Sequence, residues 1–88
     1  MNHAEIELLL KPLANRRRLA ILRFLSKRKE ANVGEISDMI RLSFTATSRH
    51  LAILEGTSFL EKEQRGLNVY YRISGKASSV LRAVLELY

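Results

Sequence analysis

Apolar residues recur along this chain mostly at helical spacing, and only near residue 60 does the period shorten to that of a strand. Ile6, Leu9, Leu10 and Leu13 stand at i, i+3, i+4 and i+7 and predict a first helix over Ala4–Leu13, with Leu8 adding apolar surface off that stripe. Pro12 lacks an N–H, so a kink or an end is expected near Lys11. Asn15 can cap a second helix, Arg16 to about Ser26. Its buried side is Leu19, Leu22, Phe24 and Leu25, with Ile21 alongside. Lys27–Ala31 reads as a charged loop. Asn32 caps a short third helix, Val33–Ile40, with Glu35 at the capping-box position and Val33, Ile36 and Ile40 inward. Arg41 and Leu42 then lead to Ser43, which caps a fourth helix ending at Leu54.

The fourth helix organises the rest. Thr47, His50, Leu51 and Leu54 share one face, while Phe44, Thr45, Ser48, Arg49 and Ala52 fall mostly opposite. A solvated surface helix normally shows Glu and Lys on its outer face. Hydroxyls, one arginine and a leading aromatic admit two readings: an ordinary amphipathic helix with a Ser/Thr-rich surface, or a helix pressed into the major groove of DNA. Two helices joined by a turn of about three residues form a helix-turn-helix. Leu60–Gln64 and Val69–Ile73 then read as strands joined by Arg65-Gly66-Leu67-Asn68, with Val69, Tyr71 and Ile73 on one face and Tyr70 and Arg72 on the other. A hairpin directly after a helix-turn-helix predicts a winged helix-turn-helix: mainly α, about five helices, and a two-stranded wing.

A last helix, Lys76–Tyr88, carries Val80, Leu81, Val84, Leu85 and Tyr88 on one stripe. Together with Ile6, Leu9, Leu10 and Leu13 of the first helix, this is more apolar surface than one small domain needs. Pairing of the first and last helices of two copies across a two-fold axis is therefore expected, against the simpler reading that both pack on their own domain.

Composition narrows the function. The 88 residues suit one domain, 1–88, and fifteen Lys and Arg against nine Asp and Glu give a net charge of +6, which favours a polyanionic partner such as double-stranded DNA. Arg16, Arg17 and Arg18 occupy the first turn of the second helix, the unfavourable end of its dipole for cations. A salt bridge is expected for Arg18, and solvent or phosphate for Arg16 and Arg17. The absence of cysteine excludes disulfides, thiolate metal sites and a Cys nucleophile. His3 and His50 lack a ligand spacing. Neither a metal nor a cofactor is expected. No nucleophile–base pair, carboxylate cleft or phosphate loop points to an enzyme. No apolar run spans a membrane and no signal peptide is evident, so a cytoplasmic location is the default expectation.

With these elements in place the chain resembles the ArsR/SmtB family of winged-helix repressors. The likeness lies in Leu10-Lys11-Pro12-Leu13-Ala14-Asn15 continuing through Arg18-Leu19-Ala20-Ile21-Leu22, in Leu42-Ser43 and Ser48-Arg49-His50-Leu51, and in Val69-Tyr70-Tyr71-Arg72-Ile73. The resemblance implies a homodimer through the first and last helices and repression at a pseudo-palindromic operator. It makes Phe44, Thr45, Ser48 and Arg49 the DNA-facing recognition residues, in agreement with the helical wheel, which puts His50 on the inner side. Ser43 begins that face, and Arg65, Lys62, Arg16 and Arg17 are expected to add sequence-independent attraction. The chain departs from the family in lacking the metal-sensing cysteines of the third helix and the histidines of the last. Phe44 stands where Gln is frequent. Arg41 and Ser58 stand at turns where Gly is frequent, and the wing tip rests on Arg65. Two other readings stay open: a winged helix used for protein–protein assembly with only non-specific DNA affinity, and control by an unidentified ligand or partner protein.

Overall fold

The computed structural model of the chain describes residues 1–77 and 79–88. Its elements run α1 (His3–Leu10), a 3-10 turn (Lys11–Leu13), α2 (Arg16–Lys27), β1 (Ala31–Asn32), α3 (Val33–Ile40), α4 (Phe44–Glu55), β2 (Leu60–Arg65), β3 (Asn68–Ile73) and α5 (Ser79–Leu85). This is a winged helix-turn-helix. Local chemistry sets most boundaries. The Asn15 side chain accepts from the N–H groups of Arg17 and Arg18, Asn32 and Glu35 close a capping box, and the Ser43 hydroxyl accepts from Ala46 N–H at 3.1 Å. The expected first helix is divided: Pro12 tightens its last turn into the 3-10 segment. The expected last helix, Lys76–Tyr88, is helical only over Ser79–Leu85, and Ser78 lies outside the described residues.

The wing differs from expectation by a third strand. Ala31 and Asn32 pair antiparallel with Tyr71 and Tyr70, so the sheet order is β1-β3-β2. The hairpin itself runs in register from Leu60↔Ile73 to Arg65↔Asn68, closed by Gly66 at φ 62° and Leu67, as a two-residue type II′ turn requires.

Ile21, Leu22 and Leu25 of α2 meet Ile36 of α3, Leu51 and Leu54 of α4, Phe59, and Leu81 of α5. Each such side chain contributes roughly 1.5–3 kcal/mol. Ile21 is thus central, while Leu19 and Phe24, expected inside, remain half-exposed. Leu13 and Leu81, expected at a dimer interface, lie in this core and offer no surface to a partner. Helix α1 gains little of this: none of its residues is fully buried, only Leu9 packs half-buried against the core, and Leu8 is 69% exposed. An isolated helix shorter than about 12–15 residues is marginal in water, and one half-buried leucine gives α1 little tertiary packing to hold it.

Two turns carry left-handed non-glycine residues, Arg41 at φ 55° and Ser58 at φ 64°. Both are turn positions at which Gly was the family expectation. Arg41 lets Leu42 N–H reach Ser37 O at 3.1 Å, ending α3 abruptly and aiming the chain into α4. A left-handed L-residue costs roughly 1–2 kcal/mol, partly offset by the extra unfolded-state freedom of glycine. Ser58→Gly is therefore expected to stabilise the domain by about 0.5–1 kcal/mol, read as a rise of a few degrees in Tm. An unchanged or lower Tm would show that this turn stores no strain.

Candidate nucleic-acid interface

Helix α4 divides as its sequence period predicts. Thr47, Leu51 and Leu54 are fully buried, while Phe44 is 61% exposed and Thr45 and Arg49 also face solvent, with Ser48 half-covered between them. The side chains of Phe44, Thr45 and Arg49 make no hydrogen bond or ion pair among the described residues. Ser43 spends its hydroxyl on the cap, fixing where that outer face begins.

Behind α4 lies a network that sequence spacing does not show. The Arg18 Nε donates to Pro12 O at 2.5 Å, and its Nη1 reaches His50 Nδ1 at 3.2 Å. A guanidinium has no acceptor, so Nδ1 accepts and the ring proton sits on Nε2. Burial, then the charges of Arg18 and Arg17, hold the His50 pKa below the ordinary imidazole value, consistent with that neutral ring. Among the described residues Arg18 thus makes no salt bridge, contrary to expectation; it ties the 3-10 turn to the back of α4. Arg17, expected toward solvent or phosphate, instead donates to Ile40 O at 2.6 Å. That bond caps the carboxyl end of α3, which explains a cation at the start of α2: it serves another helix's terminus.

The wing cations are also engaged. Arg65 holds both carboxylate oxygens of Glu30, at 2.7 and 2.8 Å, and Glu63 at 3.0 Å, with its guanidinium 4.6 Å from the Tyr70 ring centroid. The hydrogen bond from Arg65 holds the Glu30 carboxyl below its ordinary pKa. Lys62 pairs with Glu55 at 3.1 Å, and that hydrogen bond raises the lysine pKa. Solvent and salt screen exposed pairs of this kind, so a phosphate can compete for these groups. Arg16, by contrast, is exposed with no partner among the described residues. Tyr88, expected at a dimer interface, folds back on its own α2: its hydroxyl donates to Leu19 O at 3.0 Å, and Arg23 lies over its ring. Among the described residues no three His, Cys, Asp or Glu side chains gather around a common point, and no helix is long and apolar enough to cross a membrane.

The comparisons agree with this architecture. The model for bacterial regulatory proteins of the arsR family matches residues 15–62, which span α2 through the start of β2. The transcriptional activator HlyU of Vibrio cholerae is 38% identical over 86 residues, covering 98% of this chain and 76% of that protein. The transcriptional repressor PagR of Bacillus anthracis is 36% identical over 66 residues, covering 75% of this chain and 66% of that one. The structure of reduced HlyU superposes with a TM-score of 0.82 over 96% of this chain and 84% of its own, at 38% identity. A possible ArsR-family regulator from Mycobacterium bovis, solved as a homodimeric winged helix-turn-helix DNA-binding domain, gives 0.78 over 96% of this chain and 74% of its own, at 30% identity. The chain belongs to the ArsR family of bacterial regulatory proteins: it is a DNA-binding transcriptional regulator and not an enzyme.

Proposed function

We propose that this chain is a homodimeric repressor of a pseudo-palindromic operator and that it does not respond to metal. The observation that carries the reading is the outer face of α4, where Phe44, Thr45, Ser48 and Arg49 stand on a helix anchored by fully buried Thr47, Leu51 and Leu54. Two such helices enter successive major grooves, with half-sites roughly 34–36 Å apart. Thr45 and Ser48 hydrogen-bond base edges, Phe44 packs on a thymine methyl, and Arg49 reads guanine or clamps phosphate. Ser43 positions this face as its cap. Arg16 supplies phosphate contact outright, whereas Arg65 and Lys62 exchange their carboxylate partners for phosphate, and Arg17 acts through α3.

Pairing of two copies is supported by α1, of which only Leu9 packs against its own domain's core, and by the homodimeric Mycobacterium bovis relative. Ile6, Leu9 and Leu10 of α1, with Val80, Val84 and Leu85 of α5, form that surface. The sign of regulation rests on PagR, named a repressor, although HlyU is named an activator. Repression requires only that the bound dimer exclude polymerase. Independence from metal rests on a chain with no cysteine and only two histidines.

The test is a titration against the DNA upstream of the chain's own gene, with a scrambled duplex as competitor, at two salt concentrations. Tight binding that survives the competitor, protecting two half-sites one turn apart, is the expected result. Binding that ignores sequence and vanishes with salt would leave only counterion release and turn the Phe44 face into a protein-docking surface.

A further inference from the structure

On the side of α2 that carries Tyr88, a groove of about 670 Å³ runs between α2 and α3. Its floor is hydrocarbon: Leu19 and Phe24 from α2 and Met39 and Ile40 from α3, with Met39 58% exposed. Tyr88 forms one wall and is fixed there three ways. Its hydroxyl donates to Leu19 O, its ring lies 4.4 Å from the Arg23 guanidinium, and its carbonyl accepts from the same arginine. Arg16, Arg23 and Lys27 are the charged side chains of the lining, and none of its side chains is a carboxylate. Arg23 is already committed to Tyr88. Arg16 and Lys27 have no partner among the described residues.

We propose that this groove is a binding site for a small lipophilic carboxylate. The volume lies within the roughly 300–1,000 Å³ usual for small-molecule sites, and an apolar bed with a few placed polar groups is their usual lining. The floor demands hydrocarbon. The unpaired cations along α2, unopposed by any acidic side chain in the lining, demand negative charge. Nucleic acid satisfies only the second demand, because its sugar–phosphate edge has no apolar part to cover Leu19, Phe24 and Met39. An alkyl or aryl acid satisfies both. The site does not depend on operator binding, although it shares Arg16 with the face proposed for phosphate, so a bound acid and DNA would compete for one side chain.

The test is calorimetric titration of the full chain, without DNA, using sodium octanoate below its micelle concentration and 1-octanol as the uncharged control. Saturable binding of one octanoate per chain is expected, with octanol weaker by about ten-fold or more, the loss of one charge-assisted contact. Arg16→Gln with Lys27→Gln should bring octanoate down to the octanol level and leave octanol unchanged. Ala20→Phe, which places a ring in the groove, should abolish both at an unaltered Tm. Equal affinity for acid and alcohol, or undiminished octanoate binding in either variant, would overturn the proposal. So would sedimentation showing that Ala20→Phe splits a dimer, which would assign the groove to a second copy of the chain.

Discussion

Arg49→Ala is expected to weaken operator binding between about thirty-fold and twenty-thousand-fold while leaving the melting temperature unchanged. A good side-chain pairing with a base edge contributes roughly 1–3 kcal/mol, and a two-fold complex loses it twice, about 2–6 kcal/mol in all. Stability should not follow, because Arg49 is exposed and holds nothing among the described residues; surface substitutions of that kind stay within about 0.5 kcal/mol. The salt dependence separates its two possible duties. If Arg49 clamps phosphate, the loss is uniform across sequences and the salt slope falls by about one per contact. If it reads guanine, the loss is confined to the cognate site and specificity relaxes at one base pair. A fall in Tm would make Arg49 structural. Unchanged affinity with unchanged Tm would remove the outer face of α4 from the DNA.

Why α4 was readable in advance, and its surroundings were not, comes down to range. A cap needs only three or four neighbouring residues, so Asn15, Asn32 and Ser43 announce three helices correctly. The period of Thr47, Leu51 and Leu54 likewise needs only its own helix. Strand β1 has two residues and therefore no period; its existence depends on Tyr70 and Tyr71, some forty positions away, and its cue in hindsight is a buried alanine beside a capping asparagine. The partners of the arginines are hidden for the same reason. Arg17 finds Ile40 O, Arg18 finds His50, and Arg65 finds Glu30, each across the fold rather than along a helix. A run of arginines signals charge, but whether each faces a phosphate, a carboxylate or a helix terminus is decided by tertiary placement. Tyr88 is the sharpest case: its spacing continues the apolar stripe of α5, yet α5 ends at Leu85 and the tyrosine turns onto α2.

Ile6→Glu with Leu10→Glu is expected to give a folded monomer that loses operator binding almost completely. The choice of α1 follows from burial. Leu81 on α5 is fully buried in its own domain, so a carboxylate there would unfold the chain before it tested any interface. Ile6 and Leu10 are 39% and 46% exposed on a helix of which only Leu9 packs against the core. Glutamates at those positions leave the core of α2–α5 and the sheet intact, yet they meet their own symmetry mates across a two-fold axis, where like charges repel. Sedimentation should show a single species at monomer mass. Thermal unfolding should lose the dependence on protein concentration that a dimer confers. Operator affinity should fall by on the order of 10²–10⁴, because the second half-site is no longer presented at high effective concentration. Arg49→Ala and this pair thereby fail differently: the first leaves a dimer that cannot read, the second a reader that cannot bridge. If the double glutamate variant still sediments as a dimer, α1 is not the interface, and the surface presented by Val80, Val84 and Leu85 must carry the pairing alone.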